Sequence, residues 1–523
     1  MKRFFALALV LALFLTAPAL ATSYTPEGWF PLTEEPLTLT FAAKQGGNQI
    51  DYGDMIVWQK YEELTNVHID WIMIPSANFT ERENVMFASG DLPDGIYKAG
   101  LNMANLTKFA TEGQILSMSP YLSECPNLTA FYERHPDVVA SVSIDGEIYG
   151  VGYYNEHPAL AVGARLFINQ EWLKNVGKEM PTTIEEYTEL LRTFKAEDAN
   201  GNGDPDDEIP LCISDDAVGT LITTFCGSWG LANHGVKETY IDLDPETEAI
   251  RFYPAAEEYR DFLRWLNMLY TEELLDQQCF TIAYEEFVAN GTSGLVGSFP
   301  YVNTTLMGEK HTQYAGLNEA LEGPNGDKMF ACSQSVVYTP GAFVMCDGNK
   351  DPLVTMKWLD YFYGTDGAEL LFMTEKGLLY DTDENGRNYY VDYVANNPDG
   401  LTMSQVIGQY SSWSGGGNPA LLIDNYFIGG ETLPIPFAAA MNLIDWLPKT
   451  VWEAFSYTTE ETEDKTVLFN DIDSYVKEMR AAFIKGTASL DTDWDTYLGE
   501  LNKMRLPDYL EIVGQAYERY LAN

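Results

Sequence analysis

Between Pro36 and Gly100 the chain reads PLTLTFAAK, MIVWQKYEEL, NVHIDWIMIP, NFTERENVMFASG and DLPDGIYKAG: strand, helix, strand, helix, strand. That alternation constrains the fold more than any other feature. Strands joined through helices run parallel, and a parallel sheet must be covered by helices on its faces. In such sheets ligands sit beyond the carboxyl ends of the strands. The loops there are Gln45-Gly46-Gly47-Asn48 and Lys98-Ala99-Gly100. The expected class is α/β, and 523 residues exceed what one core serves, so two lobes are expected.

The N-terminus, MKRFFALALVLALFLTAPALA, has a basic start, an apolar run and a small-x-small close, the pattern of a secretory signal cleaved after Ala21. No cysteine follows that site, so no lipid anchor is expected. No later stretch has the roughly 20 apolar residues of a membrane span. The mature chain is therefore expected outside the cytoplasm: in the periplasm, at the cell surface or secreted. Without Lys2 and Arg3 there remain 29 basic residues against 78 acidic ones. Such a field repels nucleic acid and other polyanions. Six cysteines are too few for a disulfide-stapled scaffold. Cys212 with Cys226, and Cys332 with Cys346, are local pairing candidates, and buried thiols are the alternative.

Further along, VSIDGEIYGVGYY predicts a hairpin turning at Asp145-Gly146. ARLFINQEWLKNVG reads as a strand becoming a helix. PTTIEEYTELLRTFKAED is a helix with Thr182 or Thr183 as its N-cap and Ile184, Tyr187, Leu191 and Phe194 on one face. Helices dominate the tail.

The loop after that helix, DANGNGDPDDEIP, places Asp198, Asn200 and Asn202 at alternate positions, with Gly203 at the turn. Alternating oxygen ligands closed by acidic residues make a calcium site. Asp204 would add a backbone carbonyl, and Asp206, Asp207 and Glu208 follow. The glutamate of the two-helix calcium hand is replaced by Ile209. A solvated acidic loop is the alternative. Bound there, the ion would tie a helix end to a strand and be structural.

Four stretches together resemble the family-1 extracellular solute-binding proteins of carbohydrate ABC transporters, in particular the large alginate- and oligosaccharide-binding members. They are FASGDLPDGIY (Phe87–Tyr97), DGEIYGVGYY (Asp145–Tyr154) with LFINQEWLKNVG, the segment PTTIEEYTELLRTFKAEDANGNG, and the C-terminal WDTYLGELNKMRLPDYLEIVGQAYERYL. The resemblance implies a two-lobed, type II periplasmic-binding-protein-like fold with large helical insertions. Residues 38–152 with 333–395 would form the first lobe, and 153–332 with 396–523 the second. It also implies calcium ligands among Asp198, Asn200, Asn202, Asp204, Asp206, Asp207 and Glu208. The partners it implies are an oligosaccharide and permease subunits in the membrane, served by a monomer.

A neutral sugar needs aromatic faces with a few placed amides and carboxylates. Candidates are Gln45, Asn48, Lys98, Tyr153, Tyr154, Asn155, Trp229, Tyr301 and Trp413, with Glu156, His157 and Asn303 nearby. Trp265 and Trp358 lie in helical patterns and read as core. Arg165, at a strand start, reads as a surface ion-pair partner, or as a basic group able to overrule the acidic field locally. The main rival is a secreted glycoside hydrolase, which needs two carboxylates facing across a cleft. With 78 acidic residues the count carries no weight. No His-Glu-x-x-His or Gly-x-Ser-x-Gly motif occurs, and the five histidines are isolated. A peptide-binding protein of the same fold is the third reading. The expectation is a binding protein without catalytic residues.

Overall fold

A computed structural model describes residues 23–522, apart from 215–216, 385, 396, 400, 402, 413–415, 425 and 427–428 and the side chain of 404. The leader and Trp413 lie outside the described residues.

The first sheet contains β1 (Leu37–Gln45), β2 (Val67–Pro75), β3 (Gly95–Leu101), β4 (Val151–Asn155), β9 (Val337–Met345) and β10 (Leu421–Leu422), in the order β10-β4-β9-β3-β1-β2. β1 pairs parallel with both β2 and β3, through α1 (Ile56–Thr65) and α2 (Ser76–Ser89), as the alternation predicts. β9 enters antiparallel between β3 and β4. Asn66 and Gly90 end the two helices in left-handed conformations that release the chain into the next strand. Under the sheet Trp58, Trp71, Tyr97 and Trp358 form one aromatic core, with Trp58 stacked on Trp358 at 5.6 Å. The hairpin forms as expected, with Asp145 (φ 52°) and Gly146 (φ 82°) supplying the paired positive φ of its tight turn.

The second sheet contains β5 (Arg165–Asn169), β6 (Ile209–Leu211), β7 (Val296–Tyr301) and β8 (Tyr314–Gly316), in the order β8-β5-β7-β6. Helix α4 (Ile184–Ala196) covers it. Thr183 is its N-cap, accepting from the Glu186 N–H at 3.1 Å, while the Glu186 carboxylate accepts from the Thr182 N–H at 2.8 Å. Gly297 lets Trp172 and Phe194 close on the sheet, since a Cβ there would lie 2.7–2.8 Å from their rings. The remaining layer is α5 (Val218–Phe225), α6 (Glu257–Thr271), α7 (Pro434–Leu443), α8 (Thr459–Lys485) and α9 (Leu506–Ala522). The fold is α/β with mixed sheets and helical insertions.

Sheet membership places the crossings between lobes. β4 and β10 belong to the first sheet, so the chain leaves it after Asn155 rather than after residue 152, and stays with it through Leu422 rather than leaving at 395. The connecting segments are 156–164, 317–336 and 423–433. All six cysteines are buried free thiols, so neither local disulfide forms. Trp265 and Trp358 are core, as their helical spacing predicts. Among the described residues no helix is long and apolar enough to cross a membrane.

Candidate functional site: the cleft between the sheets

The two sheets point their strand ends at each other. The carboxyl ends of β1, β3, β4 and β10 and the start of β9 share one edge of the first sheet. The carboxyl ends of β6, β7 and β8 share one edge of the second with the start of β5. Because the chain crosses from one edge to the other, the cleft is floored by the crossings themselves.

Those crossings are tied by buried polar contacts. The Glu453 carboxylate accepts from the Val336 N–H at 2.6 Å and the Val337 N–H at 3.2 Å, while Lys237 Nζ donates to the Val337 carbonyl at 2.6 Å. His157 is buried, with Nδ1 accepting from the Ala159 N–H and Nε2 standing 3.3 Å from Asp424 Oδ1. That contact holds Asp424 below the ordinary carboxylate range. Arg165 is fully buried, not a surface ion-pair partner. Its guanidinium donates to the Val302 carbonyl at 2.6 Å and to the Ala159 carbonyl, and burial pulls its pKa down to about 10. β5 starts at the crossing, so the side chain points inward along it.

A cavity of about 820 Å³ opens above the crossings, reached by Ala164, Gln334, Val302 and Thr220. Tyr240, Tyr253 and Phe469 provide its aromatic walls. A second cavity, about 470 Å³, shares Thr239 and Phe469 with it and lies between Asn102 and Tyr338 of the first lobe and Lys237 and Glu238 of the second. Tyr338 is 43% exposed and packs edge-on to Tyr153 at 5.6 Å. Volumes of about 300–1,000 Å³ with apolar walls and a few polar groups suit small-molecule ligands. The nearby carboxylates already have donors. Glu238 accepts from the Phe455 N–H (2.8 Å) and Tyr457 Oη (3.2 Å), and Asp473 from Tyr240 Oη (2.8 Å) and Lys477 (2.7 Å).

The structure separates the residues singled out in the sequence. Tyr153 reaches the cleft through Tyr338. Gln45 ends β1 and Asn48 follows it, while Lys98 lies within β3 and not in a loop after it; none of the three lines either cavity. Gln45 Nε2 donates to the Gln49 carbonyl at 3.0 Å, and Lys98 Nζ lies 3.5 Å from Gln49 Oε1. Burial lowers the Lys98 pKa to about 8. Asn155 serves a crossing, accepting from the His157 N–H at 2.9 Å. Glu156 bonds Arg134 and His135. Tyr301 is half-buried where β7 ends, and Asn303 Oδ1 accepts from the Thr305 N–H. Two aromatics expected against ligand are core. Tyr154 stacks on Phe131 at 4.5 Å and shares a hydrogen bond with Tyr132, because it is the face of β4 turned away from the cleft that carries it. Trp229 packs on Phe262 and Trp265. Tyr338, Tyr240, Phe469 and Lys237, which line the cavities, were not singled out in the sequence. Tyr338 alone carried a signal, an aromatic opening a strand beside Pro340.

The acidic loop is folded around its own side chains. Gly203 N–H donates to Asp198 Oδ2 at 3.0 Å, and the Asn200 and Asn202 amides donate to the two oxygens of Asp207 at 2.7 Å each. Asp204 and Asp206 close successive turns. Asp198 Oδ1 and Glu208 Oε2 are buried without a hydrogen-bond partner. Among the described residues no three or more His, Cys, Asp or Glu side chains are grouped to hold a metal. A calcium ion held here would need the asparagine oxygens, which now accept the Asn202 and Asp204 N–H groups, as well as the two orphan carboxylate oxygens, a hard-oxygen set of the kind calcium takes.

No family model matches the chain. It is 26% identical over 520 residues, 97% of this chain and 94% of the relative, to the fructooligosaccharide ABC transporter substrate-binding protein FusA of Streptococcus pneumoniae. A solved structure of FusA, an EF-hand mutant in complex with fructo-nystose, superposes with a TM-score of 0.72 at 23% identity, covering 93% of this chain and all of that one. A solute-binding protein from Bifidobacterium longum infantis, described as binding HMO and associated with an ABC transporter, superposes with a TM-score of 0.77 at 19% identity over 93% of this chain and 99% of that one. The fold is thus of the periplasmic-binding-protein type II kind, and over nearly its whole length the chain is similar to the substrate-binding protein FusA.

Proposed function

We propose that the chain is an extracytoplasmic receptor that captures a neutral oligosaccharide between two closing lobes and delivers it, as a monomer, to the permease subunits of an ABC transporter. The observation that carries this reading is a pair of adjoining cavities: one of about 820 Å³ in the second lobe beside the start of β5 and the end of β7, walled by Tyr240, Tyr253 and Phe469 with Gln334 and Thr220 as polar groups, and one of about 470 Å³ that lies between the two lobes. Aromatic faces against sugar rings and amides or hydroxyls on sugar hydroxyls are what such a ligand needs. Neutrality follows from charge. The body is strongly acidic; Lys477 is paired with Asp473 at 2.7 Å and Lys465 with Glu238 at 3.5 Å, and Lys237 donates to the Val337 carbonyl at 2.6 Å. No bond is broken in this reading. Ligand shifts an open–closed equilibrium by contacting both lobes.

The acidic loop takes structural calcium through Asp198 and Glu208, with Asn200, Asn202, Asp204 and either Asp206 or Asp207 completing the shell. The two orphan buried oxygens support this. Bound there, the ion neutralises carboxylates at the junction of α4 and β6.

The test is isothermal titration with fructose-based and other neutral oligosaccharides, with and without chelator, followed by chromatography of the sugar. Saturable binding with intact sugar supports a receptor. Cleavage products would establish a hydrolase instead, and silence across the neutral panel would overturn the carbohydrate reading.

A further inference from the structure

Val337 opens β9, a strand of the first sheet, yet it is held by side chains of the second lobe. Its N–H donates to the Glu453 carboxylate at 3.2 Å, and its carbonyl accepts from Lys237 Nζ at 2.6 Å. The Val336 N–H donates to the same carboxylate at 2.6 Å, while the Val336 carbonyl accepts from the Asn155 N–H at 2.9 Å. Every backbone polar group of these two residues is thus satisfied, and Glu453 and Lys237 satisfy all but one of them. Glu453 is fully buried. Burial raises its pKa and lowers that of Lys237, and each charge opposes the shift of the other.

Immediately beyond this clamp the strand loses its regularity. Against β4 its register shifts between Val337 and Thr339 and again between Thr339 and Phe343, and against β3 it shifts between Gly341 and Phe343. Pro340 has no N–H to give to the ladder. From Phe343 to Met345 the strand is regular and buried. Breaks of this kind bend a strand and re-aim its side chains. Tyr338 is the first residue of the irregular stretch. It lines the cavity of about 470 Å³ together with Lys237 and with Asn102, the N-cap of α3 (Met103–Thr111).

Resting on the receptor reading above, we infer that Lys237 and Glu453 are positioning residues that carry Tyr338 with the second lobe, the pivot of this crossing lying in the irregular stretch 338–342. The ring meets ligand only where the clamp sets it, so the pair governs affinity through Tyr338. Lys237 lines the same cavity, and direct contact with ligand is the rival role.

The experiment is a double-mutant cycle read by isothermal titration with the fructose-based and other neutral oligosaccharides named above. It compares the native chain, Lys237→Met, Tyr338→Ala and the double variant, with Lys237→Arg and Glu453→Gln beside them. Each variant of the cycle is expected to lower affinity by about tenfold alone, and Lys237→Met to cost less than about twofold once Tyr338 is alanine. Lys237→Arg keeps a donor for the Val337 carbonyl and Glu453→Gln an acceptor for the two N–H groups, so both should stay within about threefold of the native chain. Thermal midpoints verify folding. If Lys237→Met does not fold, Lys237→Gln, polar but one bond too short for the 2.6 Å contact, takes its place in the cycle. Losses that multiply to about a hundredfold in the double variant would overturn the positioning role and make Lys237 a direct ligand contact. So would a Lys237→Arg as weak as Lys237→Met. Both outcomes leave the receptor reading intact, whereas a native chain that binds none of the sugars would overturn that reading and the positioning role with it.

Discussion

The acidic loop and the cleft make their sites in opposite ways. Every group in the loop comes from Asp198 to Glu208, and the hydrogen bonds that shape it connect residues two to eight apart. The cleft draws Asn102, Lys237, Tyr338 and Phe469 from four separate parts of the chain. A local site is written in spacing, whereas an assembled one exists only once sheets, crossings and helices are in place. The two should also fail differently, the loop through stability and the cleft through affinity.

The largest effect tests which tryptophans belong to the cleft at all. Trp229→Ala empties a packed site between Phe262 and Trp265 and should cost about 3–5 kcal/mol in chemical denaturation, while protein that remains folded keeps its ligand affinity. A selective loss of affinity with stability intact would return Trp229 to the binding surface. Lys98 comes next. Its folded pKa of about 8 lies below that of an unfolded lysine, so between pH 8 and about 10.4 the unfolded chain holds the extra proton. The burial penalty is therefore complete below pH 8 and relieved as pH rises, and native stability should climb by up to roughly 3 kcal/mol over that window relative to Lys98→Met. Parallel stability curves for the two proteins would show that the Lys98 charge is compensated in the fold.

Calcium removal sharpens the contrast between the sites. With free calcium at 100 times its dissociation constant, chelation should cost about 2.7 kcal/mol, read as a lower thermal midpoint, and leave sugar affinity within a factor of two or so. Asp198→Ala should abolish the midpoint shift. Affinity that falls in step with stability would mean that the loop and cleft are one unit. The smallest effect should come from Tyr338→Ala. At 43% exposure the ring adds little to stability, so the expected loss is roughly 1–2 kcal/mol of binding in titration, with the unfolding midpoint nearly unchanged.

Tyr153 and Tyr154 show why the loop could be read from the sequence and the cleft only in part. They are neighbours on one strand, and alternation sends them to opposite faces: Tyr153 to Tyr338 at the cleft, Tyr154 to Phe131 in the core. The sequence marks the strand but not which face meets the other lobe. Arg165 is a similar case, since a charged residue at a strand start reads as surface until the Val302 and Ala159 carbonyls are found around it. Gln45 was placed correctly at the end of its strand, because parallel sheets send their loops to one edge, whereas Lys98 falls inside β3; which part of that edge faces the second sheet depends on the crossings.

By itself the sequence determined the α/β alternation, the Asp145-Gly146 turn, a threonine cap at 182 or 183 and the spacing of the oxygen-rich loop. Each rests on interactions within about ten residues, where residue type and period govern conformation. Tertiary structure alone decided that β10 returns to the first sheet, that Trp229 is core, and that Tyr338 of one lobe faces Lys237 of the other. Those outcomes depend on contacts between residues some thirty to more than two hundred apart, and the burial that selects among them is a property of the assembled surfaces and not of any one segment.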